Sequence, residues 1–362
     1  MIKMSDIATR AGVSTTTVSF ILNNRPEAER ISEKTRQKVL QAADEMGYRS
    51  NQWARVIRTG NTRMLGLLGG DTALEQVGLM LAGALEASDA QGYTLKILSS
   101  DSVGSTAQQI IRRSSELRLM GILALHLSES FLDELHSEAR KNGTPVVLMD
   151  SSSGNTELAR VVSDEDGGID AGVEHLAKLG HTRIAFIGGE PGVLTARKIT
   201  FAAAIARHRL VQSDDYIQDG CYGDREMSIG AARTLLSLPT AIRPTAIFCS
   251  GDVIALATLQ AAHEFQLSVP RELSVIGFAN TTVSEYAFPP LTTIDQPFKE
   301  IGRTATHVLM DLIRQKEREE NPGSAPDSSS ASQNQLLVGK DGTNTYVLPT
   351  HLIERDSTAR SP

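Results

Sequence analysis

Apolar residues recur with helical spacing over the first 48 positions of the chain. Ile7, Ala8 and Ala11 fall on one face of a first helix. Ser14 is a suitable N-cap for a second helix over Thr15–Leu22. A third helix is predicted after a loop, with a cap at Ser32 and an apolar stripe formed by Val39, Leu40, Ala43 and Met46. Together these patterns predict a small all-α head over residues 1–48, followed by a basic hinge segment at 49–61.

From Met64 onward, short apolar runs alternate with amphipathic stretches, a pattern that predicts strands alternating with helices. The predicted strands are Met64–Leu68, Thr94–Leu98, Gly121–Leu125, Pro145–Met149, Val161–Val162, Arg183–Ile187, Ala246–Cys249 and Leu273–Gly277. Such alternation builds parallel sheets that are covered by helices. Because the strands fall into two sets with a similar rhythm, we expect an α/β body made of two doubly wound parallel-sheet lobes.

Residues 317–344 break this alternation. They are rich in charged residues, serine, glycine and asparagine. Because such a composition buries too little apolar surface to offset the entropy of ordering, we expect a flexible surface insertion. After it, Tyr346–Leu348 and His351–Ile353 are predicted to form a final strand that returns to the body.

Charge is distributed unevenly along the chain. The 362 residues are 40% hydrophobic, which suits two or three packed domains, and their net charge is −7. Residues 1–60 carry +4 of this charge and the remainder carries −11. A basic head on an acidic body is expected when only one end of a protein contacts phosphate.

The cysteines and the N-terminus indicate a cytoplasmic protein. Cys221 and Cys249 lack CxxC spacing, so we expect two free thiols in a reducing compartment rather than a disulfide or a metal site. The first ten residues contain no apolar run of the kind found in signal peptides. No stretch of the sequence reaches the length of a membrane span.

Gly12 lies between the first two predicted helices, an arrangement typical of a helix-turn-helix. The second helix of that motif enters the major groove of DNA. Thr15 and Thr16 open this helix and are candidates to contact base edges, whereas Ser19 and Asn23 are candidates to bind phosphate oxygens. A helical hairpin within an unrelated three-helix domain is the alternative that the pattern leaves open.

A series of short motifs follows in order along the head and hinge. They include Asp6-Ile7-Ala8, Ala11-Gly12-Val13-Ser14, Thr17-Val18-Ser19, Leu22-Asn23, Ile31-Ser32, Gly47-Tyr48, Ala54-Arg55 and Arg58-Thr59-Gly60. With these motifs, residues 4–60 resemble the lactose-repressor (LacI/GalR) family of bacterial regulators. The resemblance continues through the body, for example at Pro145–Asp150, Leu179–His181 and Ser274–Phe278, and covers nearly the whole chain apart from 317–344.

This resemblance implies a transcriptional regulator, most often a repressor, that binds a pseudo-palindromic DNA operator as a homodimer. It also implies a body like that of periplasmic sugar-binding proteins, with a small-molecule effector bound between two lobes. One lobe would comprise 62–161 plus 293–316, and the other 162–291 plus 345–356. The resemblance implies no catalytic residue, metal or further cofactor, and it places the protein in the bacterial cytoplasm at the nucleoid.

Two positions in the head and hinge bear on DNA sequence preference. Where the family often has a polar base reader, this chain has Phe20, which can contact a thymine methyl but offers no hydrogen bond. The apolar residue that the family inserts into the minor groove corresponds to Ile57, with Arg55 and Arg58 beside it as further DNA contacts. These departures leave DNA binding expected and the operator sequence open.

Five residues of the body are candidates to contact the effector. Four follow predicted strands, and ligands of doubly wound folds bind beyond the carboxyl ends of the strands; the fifth, Arg225, replaces an aromatic residue of the family. They are His126, Asp150, Arg197, Arg225 and Asp252. The resemblance matches Arg197 to the family's effector-binding arginine and Asp252 to an aspartate near the pocket. Asp150 and Asp252 could instead cap the helices that follow them, His126 could be a surface or pocket-wall histidine, and Arg197 a surface residue.

Substitutions in the body bear on the charge of that effector. The family's usual Gly-Phe-Asp is Gly277-Phe278-Ala279 here, so a carboxylate that often binds sugar hydroxyls is absent. Paired aromatic residues after the first strand are replaced by Gln76 and Val77, and a later aromatic residue is replaced by Arg225. The expected binding site therefore has one acidic side chain fewer and one basic side chain more than is usual in the family. This predicts an anionic effector held by Arg197 and Arg225, or the loss of an effector altogether.

An enzyme and a transport receptor are the competing classes. The chain lacks a dinucleotide-binding GxGxxG, a Walker phosphate loop, a nucleophile elbow and metal-ligand spacing, so we expect no enzymatic activity. The basic head and the missing signal peptide argue against a transport receptor. Because the sequence ends without leucine heptads, a dimer is favoured over a tetramer held by a coiled coil.

Overall fold

The computed structural model describes residues 2–22, 28, 30–48, 62–69, 74–98, 106–151, 157–189, 196–320 and 344–362. The chain divides into two compact units, the head Met1–Thr62 and the body Arg63–Pro362. The predicted hinge segment at 49–61 lies outside the described residues.

The head contains three helices, α1 (Met4–Ala11), α2 (Thr15–Leu22) and α3 (Glu33–Glu45). α1 ends at Gly12, whose φ of 69° is a left-handed conformation that glycine adopts without strain. The Ser14 hydroxyl accepts a hydrogen bond from the Thr17 amide at 3.1 Å. The Ser32 hydroxyl accepts one from the Thr35 amide at 3.3 Å at the start of α3. Both predicted caps are therefore confirmed.

The core of the head draws one fully buried side chain from each helix, namely Ile7, Val18 and Val39. The predicted apolar stripe of α3 is wrong at Leu40, which is 47% exposed, whereas Ala42 is buried. Because each residue advances about 100° around a helix, the position after Val39 turns away from the face that Val39 and Ala42 share.

The body alternates strands and helices along most of its length. In chain order its elements are β1 (Met64–Gly69), α4 (Glu75–Ala90), β2 (Thr94–Leu98), α5 (Ala107–Glu116), β3 (Gly121–Leu125), α6 (Glu129–Lys141), β4 (Val146–Met149), β5 (Ala159–Ser163), α7 (Glu165–Lys178), β6 (Ile184–Ile187), α8 (Ala196–Arg207), β7 (Ile217–Gln218), α9 (Arg225–Leu236), β8 (Ala246–Cys249), α10 (Asp252–Glu264), β9 (Ser274–Ala279), α11 (Thr282–Tyr286), β10 (Thr292–Asp295), α12 (Phe298–Glu320), β11 (Thr345–Leu348) and β12 (His351–Ile353). A 3₁₀ turn at Asp214–Tyr216 precedes β7. Within the described ranges, no helix has both the length and the apolar character that crossing a membrane requires.

In the part of the chain that the structure describes, the strands form two six-stranded sheets, one in each lobe. The first sheet has the order β11-β5-β4-β3-β1-β2, and all of its neighbouring strands are parallel. The second has the order β12-β10-β9-β8-β6-β7 and is parallel except for β12, which runs antiparallel to β10. The predicted α/β fold with two doubly wound lobes is confirmed.

The chain crosses between the lobes after β5, after β10 and after β11, and these crossings correct the predicted lobe boundaries. β10 belongs to the second sheet and β11 to the first. The sequence predicts 293–316 in the first lobe and 345–356 in the second. The prediction is wrong for the two strands, whereas α12 packs in the core of the first lobe and β12 lies in the second sheet as expected. The expected single final strand is two strands in different sheets. The apolar pattern of a short strand does not show which sheet supplies its neighbour.

The predicted insertion begins later than expected. Residues 317–320 continue α12 and are helical. The remainder of that prediction, residues 321–343, lies outside the described residues, and β11 follows directly at Thr345.

In the first lobe, α4 and α12 pack closely against each other. A Cβ atom added to Gly83 of α4 would lie 1.9 Å from the Lys299 carbonyl oxygen. One added to Gly302 of α12 would lie 1.9 Å from the Met80 carbonyl oxygen. Because backbone atoms stand in the way, this crossing accepts only glycine at these two positions.

We expect Gly302→Ala to destabilise the protein by about 1–3 kcal/mol, because the added methyl group pushes the two helices apart. Gly230→Ala is the matched control, since Gly230 is also inside a helix and a Cβ atom there would meet nothing within 4 Å. The control should stabilise the protein by about 0.5–1 kcal/mol through helix propensity. Chemical denaturation of both variants measures the difference, and equal stability of the two would contradict the close crossing.

Candidate functional sites

The outer side of α2 carries residues that were predicted to contact DNA. Thr15 and Thr16 form its first turn and are exposed, and Ser19 and Phe20 are partly exposed one turn later. Residues four apart share a face of a helix, so Thr16 and Phe20 present a hydroxyl and an aromatic ring together. The remaining predicted DNA contacts lie outside the described residues: Asn23, Arg55, Ile57 and Arg58.

His126 and Asp150 directly follow β3 and β4 at the carboxyl edge of the first sheet. Their φ angles are 50° and 48°, a conformation that residues other than glycine adopt rarely. His126 is exposed. Asp150 is partly buried and lines a cavity of about 360 Å³. The structure therefore places Asp150 at a concave strand-end site and leaves His126 on the surface.

The cavity beside Asp150 lies where the chain leaves β5 for the second lobe, and its charged side chains are mostly acidic. Its lining includes Asp150, Arg160, Asp164, Glu165, Asp166 and Thr345. Burial, assisted by the negative charge of Glu165, raises the pKa of Asp150 to about 6, while Arg197 acts in the opposite direction. The Asp150 carboxyl therefore titrates close to neutral pH.

Arg197, near the start of α8, is the centre of a cluster of polar contacts, here called the Arg197 cluster. Its Nε donates to Glu165 at 3.1 Å, and its Nη2 donates to the same carboxylate. Its Nη1 donates to the Tyr222 hydroxyl at 3.0 Å and to the Ser250 carbonyl oxygen at 2.6 Å. The guanidinium carbon also lies 4.3 Å from the centroid of the Phe278 ring. The cluster fixes both the position and the plane of the guanidinium group.

The charge of Arg197 is largely satisfied inside the protein. Burial opposes the charged form, but Tyr222, Glu165 and Asp150 raise the pKa of Arg197, so the guanidinium stays protonated. A guanidinium has five N–H donors. Four hydrogen bonds to protein partners occupy most of them.

Arg225 does not join the Arg197 cluster. It begins α9, where its guanidinium group contacts Glu226 at 2.6 Å and the Gln260 side chain. The two arginines that were predicted to hold an anion together therefore have separate partners. The resemblance aligns Arg225 with a position of the family, but an alignment does not show which partners a side chain contacts.

Asp252 is 2% exposed and acts within the second lobe. One of its oxygens accepts a hydrogen bond from the Thr293 hydroxyl at 2.6 Å. The other accepts from the Thr281 amide at 2.7 Å and the Thr281 hydroxyl at 2.8 Å. Burial raises the pKa of Asp252, and the hydrogen bonds from Thr293 and Thr281 oppose that rise. Both oxygens have partners within the lobe, so Asp252 joins β10 to the loop after β9. Its contact with an effector stays a prediction.

Glu165, Tyr222 and Ser250 complete the Arg197 cluster, although sequence reasoning did not identify them. Glu165 is an acidic residue in the first turn of a helix, a common position for such residues, so nothing in the sequence distinguishes it as part of a site. Ser250 follows β8, and its buried hydroxyl has no hydrogen-bond partner in the described structure. Tyr222 was the available signal, because it is an aromatic residue between Gly220 and Gly223 in a chain with 4% aromatic residues.

The strand-end arrangement is suited to polar binding. The cavity supplies carboxyl groups that accept hydrogen bonds. The Arg197 cluster, which shares Glu165 with the cavity, supplies a guanidinium group, a phenol and an orphan hydroxyl. Among the residues that the structure describes, no group of His, Cys, Asp and Glu side chains could hold a metal ion.

Two family models match the chain. The model of bacterial regulatory proteins of the lacI family matches residues 3–51, and that of a periplasmic binding protein-like domain matches residues 173–328. The HTH-type transcriptional repressor PurR of Vibrio campbellii is 31% identical over 327 residues, which cover 88% of this chain and 94% of that protein. PurR of Aliivibrio fischeri is 31% identical over 323 residues with the same coverage.

Solved structures show the same architecture. The lac repressor dimer bound to operator and the anti-inducer ONPF matches with a TM-score of 0.74 at 23% identity over 99% of both chains. A LacI family regulator from Mycobacterium smegmatis matches with a TM-score of 0.62 at 26% identity, over 82% of this chain and 100% of that one. The family consists of DNA-binding transcription regulators rather than enzymes, as the sequence predicts. The chain belongs to the LacI family of bacterial regulatory proteins.

Proposed function

We propose that this regulator is a repressor that binds a pseudo-palindromic operator as a homodimer, with each head reading one half-site. The observation that carries the proposal is α2, which follows the Gly12 turn and exposes Thr15 and Thr16 in its first turn, with Phe20 one turn later. Helices of this motif reach base edges with their N-terminal residues. The similarity to PurR repressors supports repression, and that to the operator-bound lac repressor dimer supports two heads on one site. Action on the chromosome would place the protein in the cytoplasm at the nucleoid.

We further propose that its operator binding is modulated by a small molecule bound around Asp150 and the Arg197 cluster. The described part of this site favours an effector that donates hydrogen bonds, either neutral or cationic, in place of the anion expected from sequence. Arg197 is already paired with Glu165, and Arg225 has its partners elsewhere. The Asp150 carboxyl and its acidic neighbours offer acceptors to hydroxyl or amine groups.

Phe20→Ala should relax sequence preference at one base pair of each half-site by about 1–3 kcal/mol, because the ring contacts a thymine methyl. Selection of binding sites from random duplex DNA measures this preference. Leu40→Ala is the matched control, because it removes an exposed apolar side chain from α3 of the same head. The proposed DNA contacts would be contradicted if Phe20→Ala selected the same half-site sequence as the wild type. They would also be contradicted if the operator affinity of the wild type did not fall with salt concentration.

Ligand screening by thermal shift should find that polyols or amines stabilise the protein and that anions of similar size do not. Arg197→Ala should abolish the effect of such a ligand on operator affinity, because Glu165 and Tyr222 lose the group that positions them. It should leave operator binding without ligand intact, because the head is a separate compact unit. Arg225→Ala is the matched control and should respond like the wild type. Stabilisation by anions only, lost in Arg225→Ala, would restore the two-arginine anion site.

Asp150→Asn should stabilise the protein at pH 7.5 by about 1–3 kcal/mol and change little at pH 4. The pKa of Asp150 rises from 3.8 to about 6 on folding, so the folded state resists ionisation. The wild type therefore loses stability as the pH rises from about 4 to 7, and the asparagine variant lacks that loss. Thermal unfolding at both pH values measures the difference. The exposed Asp89→Asn variant is the control and should show no such pH dependence.

A further inference from the structure

The two lobes touch directly through Glu75 and Thr282, away from the segments that cross between them. Glu75 lies in the first turn of α4 in the first lobe, and Thr282 begins α11 in the second. The Thr282 amide donates to both carboxylate oxygens of Glu75 at 3.0 Å. The Thr282 hydroxyl donates to one of them at 2.6 Å. The first amide of a helix has no partner within its own helix, so Glu75 supplies what α11 lacks.

The Glu75 end of this contact is fixed in the first lobe. α4 packs against α12 at the crossing where Gly83 and Gly302 bring the two backbones together. Val77 and Met80 of α4 are fully buried in the core of the lobe. Movement of Glu75 relative to its own sheet would therefore require the lobe to repack.

The Thr282 end is fixed in the second lobe by its neighbours. Thr281 is held by the buried Asp252 through both its amide and its hydroxyl. The Asn280 side chain donates to Asp295 at 2.8 Å and accepts from Arg355 at 2.8 Å. These bonds join the start of α11 to three other segments of the lobe, so α11 moves with that lobe as a unit.

The position of the contact makes it sensitive to rotation of the lobes. The segments that cross between the lobes are bonded to one another, for example through Gln296 and Ser163 at 2.7 Å, so we expect a rotation of the lobes to pivot near them. Glu75 follows β1, which is separated from β5 by β4 and β3 in the first sheet. At about 4.8 Å per strand, β1 is roughly 14 Å from β5. Opening the lobes therefore separates Glu75 from Thr282 and changes the crossings little.

We propose that the hydrogen bonds between Glu75 and Thr282 form a clasp that stabilises the closed arrangement of the two lobes. The role of the clasp in regulation rests on the proposed function, because closure matters to DNA binding only if the effector binds between the lobes. An interaction made in one arrangement and lost in the other shifts the balance between them, and thereby the apparent affinity for any ligand that prefers one of them.

The test removes the clasp and measures closure without DNA or effector. In Glu75→Ala, exchange of the Thr282 amide should accelerate by about tenfold, and the ratio of closed to open molecules should fall by a similar factor. Hydrogen exchange read on peptides spanning 281–286 reports the first quantity, and the radius of gyration in small-angle scattering reports the second. Thr282→Ser keeps both donors and should behave as the wild type, whereas Thr282→Val loses the hydroxyl and should open partially.

Glu86→Ala is the matched control, because it removes a carboxylate from the same helix whose partners, Lys299 and Arg303, lie within the first lobe. It should leave both measurements unchanged. If Glu75→Ala has the same amide exchange rate and radius of gyration as the wild type, or if Glu86→Ala changes both equally, the clasp is overturned. If the clasp variants open as expected while the wild type binds no selected DNA, the clasp stands and the proposed function fails.

Discussion

Both sheets of the body are parallel, and helices cover their two faces, so polar side chains can gather only where the strands end. The residues of β3, β4, β6 and β8 are buried along their whole length. Burial on both faces is the usual condition of parallel sheets. Asp150 and Ser250 are the residues that directly follow two of these strands. The candidate effector site thus lies at an edge of the sheets, where the covering helices leave room for polar side chains.

The electrostatics of that edge follow from one ion pair. Glu165 neutralises Arg197 and also places a second negative charge near Asp150. Glu165 therefore compensates the cation of the site, and its charge adds to the burial that raises the pKa of Asp150. The substitutions Ala279 and Arg225 predict a site that attracts anions. Because Glu165 pairs with Arg197, however, the groups left for a ligand are mostly hydrogen-bond acceptors. The character of the ligand depends on which charges remain uncompensated.

α4 connects the packing of the first lobe to the contact between the lobes. Its middle is locked to α12 through Gly83, and its first turn reaches the second lobe through Glu75. On the other side, Asp252 acts through Thr281, although the resemblance placed it near the ligand. A buried carboxylate that accepts three hydrogen bonds from two segments holds those segments together, so each lobe can move as one body about the crossings.

The sequence by itself determined the helix-turn-helix, its caps at Ser14 and Ser32, the alternation of strands and helices, and the family. These properties depend on local capping and on periodicity, which neighbouring residues set. Tertiary structure decided which sheet received β10 and β11, and it gave Arg225 and Arg197 different partners. It also brought Glu165, Tyr222 and Glu75 to partners far away in the sequence. Those outcomes depend on contacts between residues far apart in the chain, and spacing along a sequence does not encode the direction in which a long side chain points.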